Sequence, residues 1–168
     1  MSLDKTPWYI KIDERNYVEK PLLDQLAGLG WDVIDLDGQQ RPADTYRHSF
    51  TQPVLLPVLS RQLKEINPWL EDDQVETAVK QLTASFPGTG LIQNNRSVFD
   101  LLLEGTSVGD NRQTGAKSPT VQFVDFEHRD NNSFIAVCQF KVRILGTEYH
   151  IIPDIVLFLN GLPVVVIE

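Results

Sequence analysis

The feature that most constrains this chain is its last sixteen residues, 153–168, where two apolar runs face one another across Asn160-Gly161. Ile155 to Leu159 and Val164 to Ile167 are uninterrupted, the pattern of strands covered on both faces. Asn-Gly is among the strongest hairpin signals, because both residues tolerate a positive φ. The stretch predicts a hairpin whose open end carries Asp154 on one strand and Glu168 on the other. Register decides how near the two carboxylates come. A two-residue loop pairs Leu159 with Leu162, sets Asp154 against Ile167 and throws the carboxylates onto opposite faces. A three-residue loop pairs Leu159 with Pro163 and sets Asp154 opposite Glu168, with β-carbons roughly 5 Å apart. It also puts Pro163 at the start of a strand, where proline is tolerated. The second register, or a bulge that restores its parity, is expected.

Two carboxylates at that separation repel one another unless one is protonated or a cation lies between them. Magnesium takes oxygen ligands, keeps several waters and is typically held by one or two carboxylates plus phosphate oxygens, so the pair suits phosphodiester hydrolysis. The same spacing fits a buried strand flanked by solvated acids, and spacing alone leaves both readings open.

The string from Pro153 to Glu168 resembles the nuclease hairpin of the R subunit, the motor and cleavage subunit, of type I restriction enzymes. The likeness covers most of residues 17–168 and is strongest from 121 onward. It runs through Glu19 ahead of Leu22-Leu23 and Gly30-Trp31, Ile66-Asn67-Pro68, Asp125-Phe126, Asn131-Asn132, Gln139-Phe140 and Asn160-Gly161. The resemblance implies a restriction-endonuclease-like fold with a PD-(D/E)xK motif, in which Asp154 and Glu168 bind Mg2+ and are catalytic. It also implies that Glu19, on the first helix, approaches the metal site. The implied partners are double-stranded DNA and the methylation (M) and specificity (S) subunits, with ATP used by motor domains outside this chain. In the family a lysine follows two positions after the glutamate. This sequence stops at Glu168, so it is expected to be an N-terminal fragment that does not cleave DNA appreciably.

With 168 residues, 42% of them apolar and 23% charged, the chain suits one nuclease domain over 1–168. A net charge of −8 argues against tight DNA binding by this piece alone, since non-specific affinity comes from lysine and arginine neutralising phosphates. Basic surfaces elsewhere in a larger protein are expected to grip the duplex. No apolar run approaches the roughly 20 residues of a membrane helix, and the N-terminus lacks the regions of a signal peptide, so a cytoplasmic protein is expected. Cys138 is the single cysteine, expected as a buried thiol, which excludes a disulfide framework or a cysteine metal cluster.

Periodicity predicts helices over Val18–Ala27, after Pro53, over Asp72–Leu82 and over Asn94–Glu104. A short alternating lead-in is expected at Trp8–Asp13, and strands at Trp31–Leu36, Val121–Phe126, Phe134–Leu145 and Glu148–Leu159. Helices first and a strand meander afterwards predict an α/β (α+β) fold, with a mixed central sheet flanked by helices and the hairpin central. The polar segment 105–120 is expected as a mobile loop. Its Gly109, Gly115, Lys117 and Ser118 do not make a phosphate-binding loop, because Ala116 separates Gly115 from Lys117 and no strand leads in. His150 alternates with Asp154 but is expected to be a structural histidine, and Gln139 stands where a supporting hydrogen bond is open to it. A non-catalytic docking or DNA-clamping module, or a repair or transposition nuclease of the same fold, remains an alternative.

Overall fold

In the computed structural model, residues 15–36, 41–84 and 90–168 are described; the lead-in at Trp8–Asp13 lies outside them. The described elements are α1 (Lys20–Gly28), β1 (Asp32–Asp35), α2 (Leu56–Ile66), α3 (Asp72–Thr83), α4 (Leu91–Glu104), β2 (Thr106–Ser107), β3 (Thr120–Val121), β4 (Phe134–Cys138), β5 (Val142–Arg143), β6 (His150–Ile151), β7 (Ile155–Leu159) and β8 (Leu162–Ile167). The main sheet runs β1-β4-β7-β8, with β1 parallel to β4 and the other pairs antiparallel. The fold is α+β, a mixed sheet with helices packed against it. No helix among the described residues is long and apolar enough to cross a membrane.

Strand alternation sorts the core into two faces. Ala136, Cys138 and Ile155 pack with Leu23 and Leu26 of α1. Ile135, Val137, Val156 and Phe158 point the other way and pack with Leu55 and Val58 at the start of α2. A third cluster joins Leu59 and Leu63 of α2, Val75, Ala78 and Leu82 of α3, and Leu162 of the hairpin. Val98, Leu101 and Leu102 of α4 reach this cluster only partly buried, and α4 contributes no fully buried residue.

Two expected long strands are each interrupted. Phe134–Leu145 divides into β4 and β5 at Gln139, whose φ of 59° is left-handed. That conformation flips the pleat, so Phe140 and Val142 join the α2-side cluster instead of continuing the face of Cys138. The strand expected at Glu148–Leu159 divides opposite it, at 152–154, into β6 and β7. The two breaks are in register: the Gln139 N–H donates to the Asp154 carbonyl at 2.7 Å and the Phe140 N–H to that of Pro153 at 3.2 Å. Beyond them, β5 and β6 form a separate two-stranded ribbon.

One other expectation is corrected, the strand at Val121–Phe126. Of the Val121–Phe126 stretch only Val121 pairs as a strand, at the end of β3, although Phe123 and Val124 are buried. The 105–120 segment is built around a buried side chain: the Asn111 amide donates to the Trp69 carbonyl and to Gln74, while its oxygen accepts from the N–H and hydroxyl of Thr114.

Candidate active site

The hairpin resolves the register question by a route that combines both alternatives. The loop has two residues: Leu159 pairs with Leu162, and Asn160 and Gly161 both take positive φ, 51° and 85°. One extra residue, Val164, then bulges between the pairs Phe158↔Pro163 and Leu157↔Val165. The bulge shifts parity by one, so the strands close at Ile155↔Ile167 and the same register carried one residue further sets Asp154 against Glu168. The three-residue loop is therefore corrected, and the parity it was expected to supply comes from the bulge.

The closed end of the hairpin is locked. Asn160 is fully buried; its amide donates to the Phe123 carbonyl and to the side-chain oxygen of Asn132, and its own oxygen accepts from the Ser133 N–H. Asn132 in turn accepts from the Asp125 N–H at 3.0 Å. The Asp125 carboxylate takes hydrogen bonds from the Asn131 amide and from the N–H groups of His128 and Glu127, which hold it below the usual carboxylate range. Gly161 lies against α2, where its carbonyl accepts from the Leu55 N–H at 2.8 Å.

The open end is irregular. Asp154 is half-buried and Glu168 exposed. The Gln139 amide donates to Asp154 Oδ1 at 3.2 Å, so the backbone and side chain of one residue hold the backbone and side chain of the aspartate. Glu19 lies at the end of a single π-helical turn, Arg15–Glu19, that leads into α1, and it is buried. Its Oε2 accepts from the Cys138 thiol at 3.3 Å. Arg15 from the same turn pairs with Asp35 of β1 at 2.7 Å.

Asp154 and Glu168 flank the last pair of the hairpin, Ile155↔Ile167, and Glu19 is engaged on the neighbouring strand at Cys138. Among the described residues no three of His, Cys, Asp and Glu converge into one metal-holding group. The oxygen donors next to the hairpin's open end are the half-buried Asp154 and the exposed Glu168, and carboxylate oxygens are the ligand type a hard cation such as Mg2+ takes. The mouth is a rim more than a cavity. Concavities of about 620 Å³ beside Lys64, Glu71 and Arg112, and of about 470 Å³ between Val54, Leu82, Leu102 and Val164, lie away from both carboxylates. His150 is exposed and stacks edge-on against Phe50, with ring centroids 5.7 Å apart. The second hairpin strand was expected to be covered on both faces, but Val164, Val165 and Val166 are 45%, 44% and 58% exposed because β8 is the edge of the sheet.

Burial and the adjoining Glu19 carboxylate push the Cys138 thiol up to about 12. A raised folded-state value means that the stability tied to this group is complete below its unfolded value of about 8.5 and is lost as pH rises towards the folded value. Cys138→Ser is therefore expected to flatten the alkaline decline in stability, as followed by denaturant unfolding at a series of pH values. At pH 8 iodoacetamide should leave Cys138 unmodified in the folded protein and label it on unfolding. Equal labelling in both states would contradict this account.

The domain is α+β, with an acidic residue beside each strand at the open end of its hairpin, and comparison with known proteins gives its family. A family model described as "Type I restriction enzyme R protein N terminus" matches residues 11–168. The chain is 34% identical over 154 residues to the type I restriction enzyme HindI endonuclease subunit of Haemophilus influenzae, which covers 91% of this chain and 14% of that protein. It is 25% identical over 159 residues to the putative type I restriction enzyme MjaIXP endonuclease subunit of Methanocaldococcus jannaschii, covering 94% of this chain and 15% of that protein. This chain belongs to the type I restriction enzyme R-protein N-terminal family. It spans about one-seventh of the length of these relatives.

Proposed function

We propose that this chain is the nuclease domain of a type I restriction R subunit and hydrolyses phosphodiester bonds of double-stranded DNA with Mg2+. The observation that supports the reading is the bulged register, which pairs Ile155 with Ile167 and, carried one residue further, would set Asp154 opposite Glu168. Asp154 and Glu168 would hold the cation, and Glu19, one strand away beside Cys138, would act on it only indirectly. Bound there, Mg2+ supplies charge to polarise the scissile phosphate and to lower the pKa of an attacking water. Water adds to phosphorus and a P–O ester bond breaks, leaving a phosphomonoester and an alcohol. By the resemblance, full activity also requires the lysine that in the family follows two positions after the glutamate.

The net charge of −8 assigns DNA grip to other parts of the enzyme. In the cytoplasmic assembly, ATP-driven motor domains of the same subunit deliver the duplex, while methylation and specificity subunits select the site. The test is Glu168→Gln in the assembled enzyme, which keeps shape and removes the charge. Cleavage at fixed Mg2+ is expected to fall about a hundredfold with DNA binding unchanged, a loss of roughly 2.7 kcal/mol in transition-state stabilisation. Wild-type cleavage by this variant would overturn the reading and leave a non-catalytic module.

A further inference from the structure

We infer that Gln139 is a positioning residue for the cation site, setting the orientation of the Asp154 carboxylate; this rests on the metal-dependent reading above. Of the four non-glycine residues with positive φ among the described residues, Asn160 sits in a hairpin turn, where such a conformation is common, whereas Gln139 sits between two strands. Its left-handed backbone turns the Gln139 side chain out of the pleat that Cys138 and Phe140 would otherwise continue. Two contacts follow from that turn: Gln139 N–H to Asp154 carbonyl at 2.7 Å, and Gln139 Nε2 to Asp154 Oδ1 at 3.2 Å. A sheet break needs only the first. The second commits one carboxylate oxygen to a neutral donor, which holds the rotamer without adding charge to a mouth that already carries two acids.

Chemically, a carboxylate held this way meets a cation at little cost in ordering, whereas a free one must be immobilised as it binds. Partners of this kind behind metal ligands typically change affinity by about 10–100-fold. A residue serving only as a kink would leave metal affinity untouched.

Gln139→Gly separates the two roles, since glycine keeps the left-handed backbone and removes the amide. Gln139→Asn, which also tolerates that backbone, carries an amide one methylene shorter and guards against a folding defect peculiar to glycine. In the assembled enzyme, the Mg2+ concentration for half-maximal DNA cleavage is expected to rise about tenfold in Gln139→Gly, with the rate at saturating Mg2+ within about threefold of wild type. Mn2+ titration without nucleotide, followed by electron paramagnetic resonance, should show the same weakening at the site that Asp154→Ala removes. Thermal unfolding is expected to be unchanged. Wild-type metal dependence and Mn2+ affinity in both Gln139 variants, alongside an inactive Asp154→Ala enzyme, would overturn the positioning role and leave the nuclease reading intact. Normal cleavage by Asp154→Ala would overturn both.

Discussion

Asp154→Ala in the assembled enzyme is expected to lower DNA cleavage by about a thousandfold while ATP hydrolysis and DNA binding stay near wild type. The size follows from what the side chain supplies. A metal ion that stabilises developing charge contributes several kcal/mol, and each 1.36 kcal/mol is about tenfold in rate. Removing one carboxylate of an opposed pair leaves a single exposed acid, Glu168, to hold the ion. The substitution lies at a break in the strands, where its backbone carbonyl still accepts from Gln139, so the fold should survive. Cleavage is read by conversion of supercoiled plasmid, ATP hydrolysis by phosphate release. A parallel loss of both would point to misfolding or misassembly and not to lost chemistry.

Gly161→Ala is expected to destabilise the domain by about 2–4 kcal/mol, measured by denaturant unfolding. Two costs add. Alanine at φ 85° is strained by about 1 kcal/mol. A β-carbon there would lie 2.7 Å from the Leu55 carbonyl oxygen and 2.9 Å from the Leu59 nitrogen, which are backbone atoms of the α2 start that cannot rotate away. The helix must move off the hairpin, loosening Leu55, Leu59 and Val58 from the core at a typical overpacking cost of 1–3 kcal/mol. Gly146→Ala is the control: its φ is 78°, yet nothing lies within 4 Å of the added carbon, so only the conformational cost of about 1 kcal/mol remains. Equal losses in the two variants would show that close approach of α2 to the turn contributes nothing.

The hairpin, its Asn-Gly turn and the parity that pairs Ile155 with Ile167 were legible in the residues, because apolar runs and positive-φ residues constrain backbone directly. The bulge was not placed, since Val164 sits in a run of valines with no glycine to mark it. The interruption of β4–β5 was invisible for a similar reason. Residues 134–145 alternate smoothly, and a left-handed glutamine leaves no signature in composition; it is stabilised by its hydrogen bonds to Asp154 and by the neighbouring Phe140 N–H donating to the Pro153 carbonyl, which come from tertiary structure. The helices were readable from their stripes, but the π-helical turn that delivers Glu19 to Cys138 was not, because Val18 fits a regular helical start equally well. Asn131, Asn132, Asn160 and Asp125, which carried part of the family resemblance, serve the turn at the far end of the hairpin from the acids.

The central claim is that one cation sits between Asp154 and Glu168. Anomalous diffraction from crystals of the intact subunit grown with Mn2+ tests it directly. A peak within coordination distance of carboxylate oxygens of both residues is the predicted result, and it should vanish in Asp154→Ala. Full-occupancy Mn2+ elsewhere in the domain, with neither carboxylate in contact, would contradict the account.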